Sequence, residues 1–116
     1  MDVAITADRD RLVQVLTNLL ANAIRFSPPG ATVTVTARRE PAAMRFEVLD
    51  RGAGVPPDRV SRLFGKFEQL HDGPRGGTGL GLSISRAIVM EHGGEIGYAP
   101  REGGGAKFWF WIPVER

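Results

Sequence analysis

Two rhythms of apolar residues run through this chain, one with the period of a helix and one with the period of a strand. Residues 2–7 alternate Val3 and Ile5 with polar neighbours and read as a short edge strand. From Arg9 to Phe26 the period lengthens. Leu12, Val15, Leu16, Leu19, Ala23 and Phe26 fall on one broad face, as a helix packed on a core requires. Asp8 stands where an N-cap belongs, and Ser27-Pro28-Pro29-Gly30 ends the helix because proline cannot continue it. Strand rhythm returns over residues 32–38 and 44–49, with Glu40-Pro41-Ala42 as the turn of an antiparallel hairpin. Residues 59–63 form a short helical piece, and the Phe64 and Phe67 that follow read as core. Periodicity then disappears from Glu68 to Gly77. A second helix follows, with Leu80, Ile84, Ala87 and Ile88 as its expected buried face, and Gly93-Gly94 stop it just after His92. Residues 95–99 and 106–113 are the last two strands, joined through Gly103-Gly104-Gly105. In the final strand, alternation sets Phe108, Phe110 and Ile112 on one face and Trp109 with Trp111 on the other. An apolar patch is expected where the tryptophans face away from the helices.

Composition narrows the class more than the chemistry. At 116 residues the chain is one domain, and 42% hydrophobic with 24% charged residues is the balance of an ordinary globule. No apolar run approaches the ~20 residues of a spanning helix, so no membrane contact is expected of this domain and a cytoplasmic location is. With no cysteine there is neither a disulfide nor a thiolate metal site, and two distant histidines make poor zinc ligands. The basic residues are scattered, which argues against a nucleic-acid partner.

Three places break the pattern in ways that carry chemistry. On the first helix, Arg11, Gln14, Asn18, Asn22 and Arg25 fall in one narrow polar stripe, with the two asparagines one turn apart. Asparagine is a poor residue for a helix interior, and solvated faces usually carry Glu and Lys instead. At the end of the hairpin, Asp50-Arg51-Gly52-Ala53-Gly54 leaves a carboxylate at a strand terminus beside two glycines that permit close backbone approach to a ligand. That carboxylate only accepts hydrogen bonds and suits an amine donor such as adenine's; an Asp-Gly turn is the plain alternative. The third is Gly76-Gly77-Thr78-Gly79-Leu80-Gly81-Leu82-Ser83, which opens the second helix and fits an anion site built from backbone N–H groups. It lacks the lysine of a P-loop and does not emerge from a strand as a dinucleotide fingerprint must. Read alone, it also admits a structural turn as the lesser alternative.

In their order the motifs resemble the ATP-binding catalytic domain of sensor histidine kinases, in the GHKL superfamily. Residues 14–27 are similar to its asparagine box, Asp50 to Gly54 to its first glycine box, residues 63–69 to its phenylalanine box, and Gly77 to Leu82 to its second glycine box. The resemblance covers nearly the whole chain, residues 1–116 as one domain. It implies a two-layer α+β sandwich, the Bergerat fold, in which a mixed, largely antiparallel sheet of about five strands is backed by three helices. ATP and Mg²⁺ are the implied cofactors. Asp50 is matched to the adenine amine, Asn22 to the Mg²⁺ that bridges the phosphates, Asn18 to its support and Arg25 to phosphate oxygens. Gly52, Gly54, Phe67, Gly77, Thr78, Gly79, Leu80, Gly81 and Leu82 are the other implied nucleotide contacts. Residues 68–77 would form a lid, whose Arg75 and the nearby Lys66 are candidates for reaching the outer phosphate, with plain solvation as the alternative for either.

The implied reaction is transfer of the γ-phosphoryl group to a histidine on a separate dimerisation and phosphoacceptor domain, which then serves a response regulator. Asn18 stands where related ATPases carry a glutamate base, and a neutral amide is no base, so hydrolysis is expected to be slow. Nothing here resembles the phosphoacceptor helix, so the chain reads as the catalytic part of a longer protein. His71 falls in the lid and His92 at a helix end. Ala106 departs from the family, which usually has Thr or Ser there. A GHKL serine kinase of the anti-sigma-factor type, or a nucleotide-sensing module without transferase activity, are the alternatives.

Overall fold

The computed structural model describes residues 8–64 and 81–114, without the side chains of Arg59, Ser61 and Arg62. The expected strand over residues 2–7, the lid with His71 and Arg75, and the candidate residues Lys66, Phe67, Gly77, Thr78, Gly79 and Leu80 lie outside them.

Helix α1 spans Arg9–Phe26. Its start is set by Asp8, whose carboxylate accepts from the Asp10 and Arg11 N–H groups at 3.1 and 3.3 Å. Its end comes at Ser27, ahead of Pro28, whose ring disfavours helical geometry in the residue before it. Strands β1 (Thr34–Glu40) and β2 (Ala43–Leu49) form the expected hairpin, closed by Pro41 and Ala42. Helix α2 spans Gly81–Glu91 and stops where Gly93, at φ +80°, lets the Gly94 N–H return to the Val89 carbonyl at 3.0 Å. Strands β3 (Glu95–Pro100) and β4 (Ala106–Pro113) complete the sheet.

The sheet order is β1-β2-β4-β3, and every pairing is antiparallel. Where about five strands in a mixed sheet and three helices were expected, the described residues form four antiparallel strands and two α-helices. The third helical piece, Pro57–Arg62, is a 3-10 helix. Pro57 at its first position fits a helix start, and the piece is only six residues long, the length at which 3-10 turns are common.

Both α-helices lie on one face of the sheet. Val15, Leu19 and Ala23 of α1 and Ile88 and Val89 of α2 meet Val48, Ile96, Phe108, Phe110 and Ile112, all buried. Phe46 stacks on Phe110 with ring centres 4.9 Å apart. Each such ring or aliphatic side chain removed from water contributes roughly 1.5–3 kcal/mol, so this cluster holds the two layers together. The expected buried face of α2 is rotated in the structure. Ile88 is buried, but Ile84 and Ala87 are exposed, and Ser85 and Val89 are turned inward instead. A small polar residue faces α1 because α1 presents a polar group there.

The tryptophans do occupy the open face, but as half-buried rings rather than a bare patch. Trp109 lies flat against Gly97, where a Cβ would collide with the indole. Above it the Arg45 guanidinium stands 4.7 Å from the ring centre and pairs with Glu47 at 3.0 Å.

Candidate functional site

Helices α1 and α2 run antiparallel, and besides their apolar packing, polar contacts link them at both ends. At one end the Asp8 N–H donates to His92 Nε2 at 2.9 Å. His92 Nδ1 lies 2.7 Å from the Ile88 carbonyl, which can only accept, so Nδ1 carries the proton and Nε2 the lone pair. One turn along, Arg11 pairs with Glu91 at 2.8 Å, an exposed contact worth little in stability. At the other end, the Asn18 amide nitrogen reaches the Gly81 carbonyl and the Ser85 hydroxyl, each at 3.3 Å. Two residues of the stripe, Arg11 and Asn18, therefore meet the neighbouring helix.

That alignment locates the remaining stripe residues. Asn18 is level with Gly81, the first residue of α2, so Asn22, one turn further along α1, stands about 6 Å beyond the point where α2 begins. Asn22 is half-buried, and Arg25 follows on the exposed last turn. The space ahead of α2 is where a helix presents its unpaired N–H groups and positive end. A side-chain amide oxygen and a guanidinium thus border a region suited to anions.

The second anchor is Asp50, only 3% exposed at the end of β2. Its Oδ1 accepts from the Gly52 N–H at 2.8 Å and the Ala106 N–H at 3.1 Å, while its own N–H donates to the Ala106 carbonyl at 2.9 Å. The Arg101 guanidinium holds its carbonyl at 3.2 Å. Among the described residues Oδ2 has no hydrogen-bond partner. Gly52 presses on the end of α1 so closely that a Cβ would collide with the Phe26 carbonyl oxygen. The following turn has Gly54 at φ +78°, and the Tyr98 hydroxyl accepts from the Val55 N–H at 3.1 Å. The first glycine box is therefore wedged between the end of α1 and the β3–β4 hairpin.

Of the residues expected at the site, the fold brings Asn18 together with Gly81, and Asp50 with Gly52. Leu82 packs against the core, and Phe26 is half-buried beside Gly52. Two contributors escape a reading based on side-chain chemistry. Ala106 acts through its backbone, and a methyl group gives no sign of that. Ser85 was legible only as a polar residue in an apolar helix. A cavity of about 370 Å³ opens beside the site, lined by Phe26, Ser27, Pro28, Arg51, Gly52 and Ala53.

Residues 7–116 match the family described as histidine kinase-, DNA gyrase B-, and HSP90-like ATPase. The chain belongs to this ATPase family. Its named relatives include the circadian input-output histidine kinase CikA of Synechococcus elongatus, 44% identical over 112 residues that cover 94% of this chain and 15% of CikA. The adaptive-response sensory kinase SasA of the same organism is 43% identical, with 95% and 29% covered. Among solved structures, full-length ShkA in complex with AMPPNP superimposes with a TM-score of 0.84 at 38% identity, over 97% of this chain and 23% of that one. The chain thus spans less than a third of the length of these relatives. It is an ATPase domain of the histidine kinase type, and its α+β architecture is theirs.

Proposed function

We propose that this domain binds ATP with Mg²⁺ and donates the γ-phosphoryl group to a histidine carried on a separate helical dimerisation and phosphoacceptor domain, in two-component signalling. The observation that carries the reading is the position of Asn22, one turn past the start of α2 on the same side as Asn18. The donor set fits the metal. Mg²⁺ takes oxygen ligands and keeps several waters, so one amide oxygen from Asn22 together with phosphate oxygens is an adequate protein share. When bound, Mg²⁺ supplies positive charge against the phosphates. Arg25 adds a guanidinium for phosphate oxygens, and the N–H groups at the start of α2 add further donors. Asp50, through Oδ2, accepts from the adenine amine. Its Oδ1 is already engaged by backbone, so the carboxylate is held before the nucleotide arrives.

Asn18 is neutral and removes no proton from water, which keeps ATP hydrolysis slow and leaves the phosphoryl group for a better nucleophile. An imidazole nitrogen of the acceptor attacks in line, the bond from γ-phosphorus to the bridging oxygen breaks, and ADP departs. His92 is not that acceptor. It lies at the far end of α2 from Gly81, about 16 Å along the helix axis, with both ring nitrogens engaged. The sensor histidine kinase relatives favour histidine over serine as the acceptor, with the response regulator reached through the parent protein. A domain of this kind acts on the cytoplasmic side of whatever anchors its parent.

The test uses γ-labelled ATP, with the chain alone and with the parent's phosphoacceptor domain. Acid-labile label on the added domain, and none on this chain, is the expected result. Stoichiometric label on the chain alone that disappears in His71→Ala or His92→Ala overturns the separate-acceptor reading. Failure to bind ATP in calorimetry overturns the whole.

A further inference from the structure

Ser85 is fully buried on a helix whose other inward residues, Ile88 and Val89, are apolar. A serine here lacks the packing of its neighbours, and a buried hydroxyl is costly unless it is hydrogen-bonded. Its described partner is the Asn18 amide nitrogen, at 3.3 Å. The same nitrogen lies 3.3 Å from the Gly81 carbonyl. A carbonyl only accepts, so the nitrogen and not the oxygen of the amide must face α2, which removes the usual ambiguity of an Asn side chain. Both N–H bonds of Asn18 are then spoken for. Oδ1 is left on the side away from α2, without a hydrogen-bond partner among the described residues.

Which way that amide points matters for a hydrated metal. Mg²⁺ keeps several of its waters, and metal-bound waters are strong donors that need acceptors. An Asn18 oxygen turned towards the space beside Asn22 accepts from such a water, whereas a flipped amide would set N–H against O–H. We propose that Ser85 is a positioning residue of the nucleotide site. Together with the Gly81 carbonyl, it fixes the orientation of the Asn18 amide so that Oδ1 serves as an acceptor for the hydration shell of the nucleotide-bound cation. The inference rests on the ATP and Mg²⁺ reading above. It also ties the start of α2, where the phosphates are bound, to the same side chain.

Four chains test it: wild type, Ser85→Ala, Asn18→Ala and the double variant. Each is titrated with ATP in Mg²⁺ and again with the metal chelated, and each is melted without nucleotide. Alanine is small and favours a helix, so the fold is retained. In Ser85→Ala the Mg²⁺-dependent gain in ATP affinity falls about five- to tenfold, as expected for one hydrogen-bonded group left unsatisfied, while metal-free affinity stays within about twofold. In the Asn18→Ala background the Ser85 substitution changes that gain no further, because it acts through Asn18. A direct readout needs no ligand: the side-chain NH₂ signals of Asn18 in ¹⁵N spectra exchange slowly in wild type and fast in Ser85→Ala. An unchanged Mg²⁺ gain in Ser85→Ala, or an equal loss in the Asn18→Ala background, overturns the proposal and leaves the nucleotide reading intact. A wild-type chain with no Mg²⁺ gain overturns the nucleotide reading and this inference with it.

Discussion

Replacing Asp50 by Asn and by Ala separates the two jobs its carboxylate holds. Oδ1 serves two backbone donors, Gly52 at 2.8 Å and Ala106 at 3.1 Å, in a position only 3% exposed. Alanine leaves both N–H groups unsatisfied, at about 1–3 kcal/mol each, so Asp50→Ala loses roughly 2–6 kcal/mol. For a domain of this size that lowers the melting temperature by roughly 8–24 °C. Asparagine keeps an oxygen, and the two backbone donors oblige that oxygen to take the Oδ1 position. Asp50→Asn therefore costs little stability, under about 1 kcal/mol, and its NH₂ group must occupy the position of Oδ2. There it meets the amine of adenine donor to donor. A hydrogen bond to a charged group is worth about 1.5–3 kcal/mol, so ATP affinity falls roughly ten- to 150-fold. Guanine has a carbonyl oxygen where adenine has its amine, so GTP binds Asp50→Asn better than it binds wild type. Thermal melts of the three chains and calorimetry with both nucleotides measure each step. Equal melting of the Asn and Ala variants would refute the division of labour, and wild-type ATP affinity in Asp50→Asn would refute the adenine contact.

Asn22→Ala abolishes the Mg²⁺-dependent part of ATP binding and leaves the helix intact, since alanine is the better helix former; identical titrations of variant and wild type with and without metal count against it. Gly97→Ala drives a methyl group into the Trp109 indole and costs about 1–3 kcal/mol in urea unfolding. In a Trp109→Ala background the same change is neutral or stabilising, and a full penalty there would remove the indole from the explanation. His92→Ala deprives the Asp8 N–H of its acceptor, costs about 1 kcal/mol, and speeds hydrogen exchange at that amide; unchanged exchange would mean that the contact does not hold the start of α1.

Much of the fold was legible because local signals agreed with packing. The bounds of α1 could be read from Asp8 and Pro28, since a cap and a proline act whatever surrounds them. The hairpin and the β4 alternation were readable because one face of the sheet is buried and the other is not. The face of α2 was misread for a physical reason. Hydrophobic periodicity presumes an apolar neighbour, whereas α2 turns Ser85 towards an asparagine and leaves Ile84 outside. The 3-10 helix spans only six residues, and periodicity cannot distinguish so short a piece from a turn of α-helix. At the candidate site, residue types singled out Asn22 and Asp50 as expectations. The sharing of Asp50 between two N–H groups depends on the β3–β4 hairpin returning to it, a contact across 56 residues that no local pattern records.

Helix α1 is also a ruler. The chain enters it at Asp8, beside His92, while Asn22 stands fourteen residues further on, about 21 Å away at ~1.5 Å per residue. An extended chain covers at most ~3.3–3.6 Å per residue. On the proposed reading, in which Asn22 stands beside the phosphates, a histidine that precedes this domain in the same chain lies at least about six residues ahead of Asp8 before the chain can span that distance. Anything attached more closely is tethered at the wrong end. On that reading the distance works as a built-in exclusion zone, which keeps the nearest upstream residues from the nucleotide and leaves it to an acceptor on a longer arm or on another molecule.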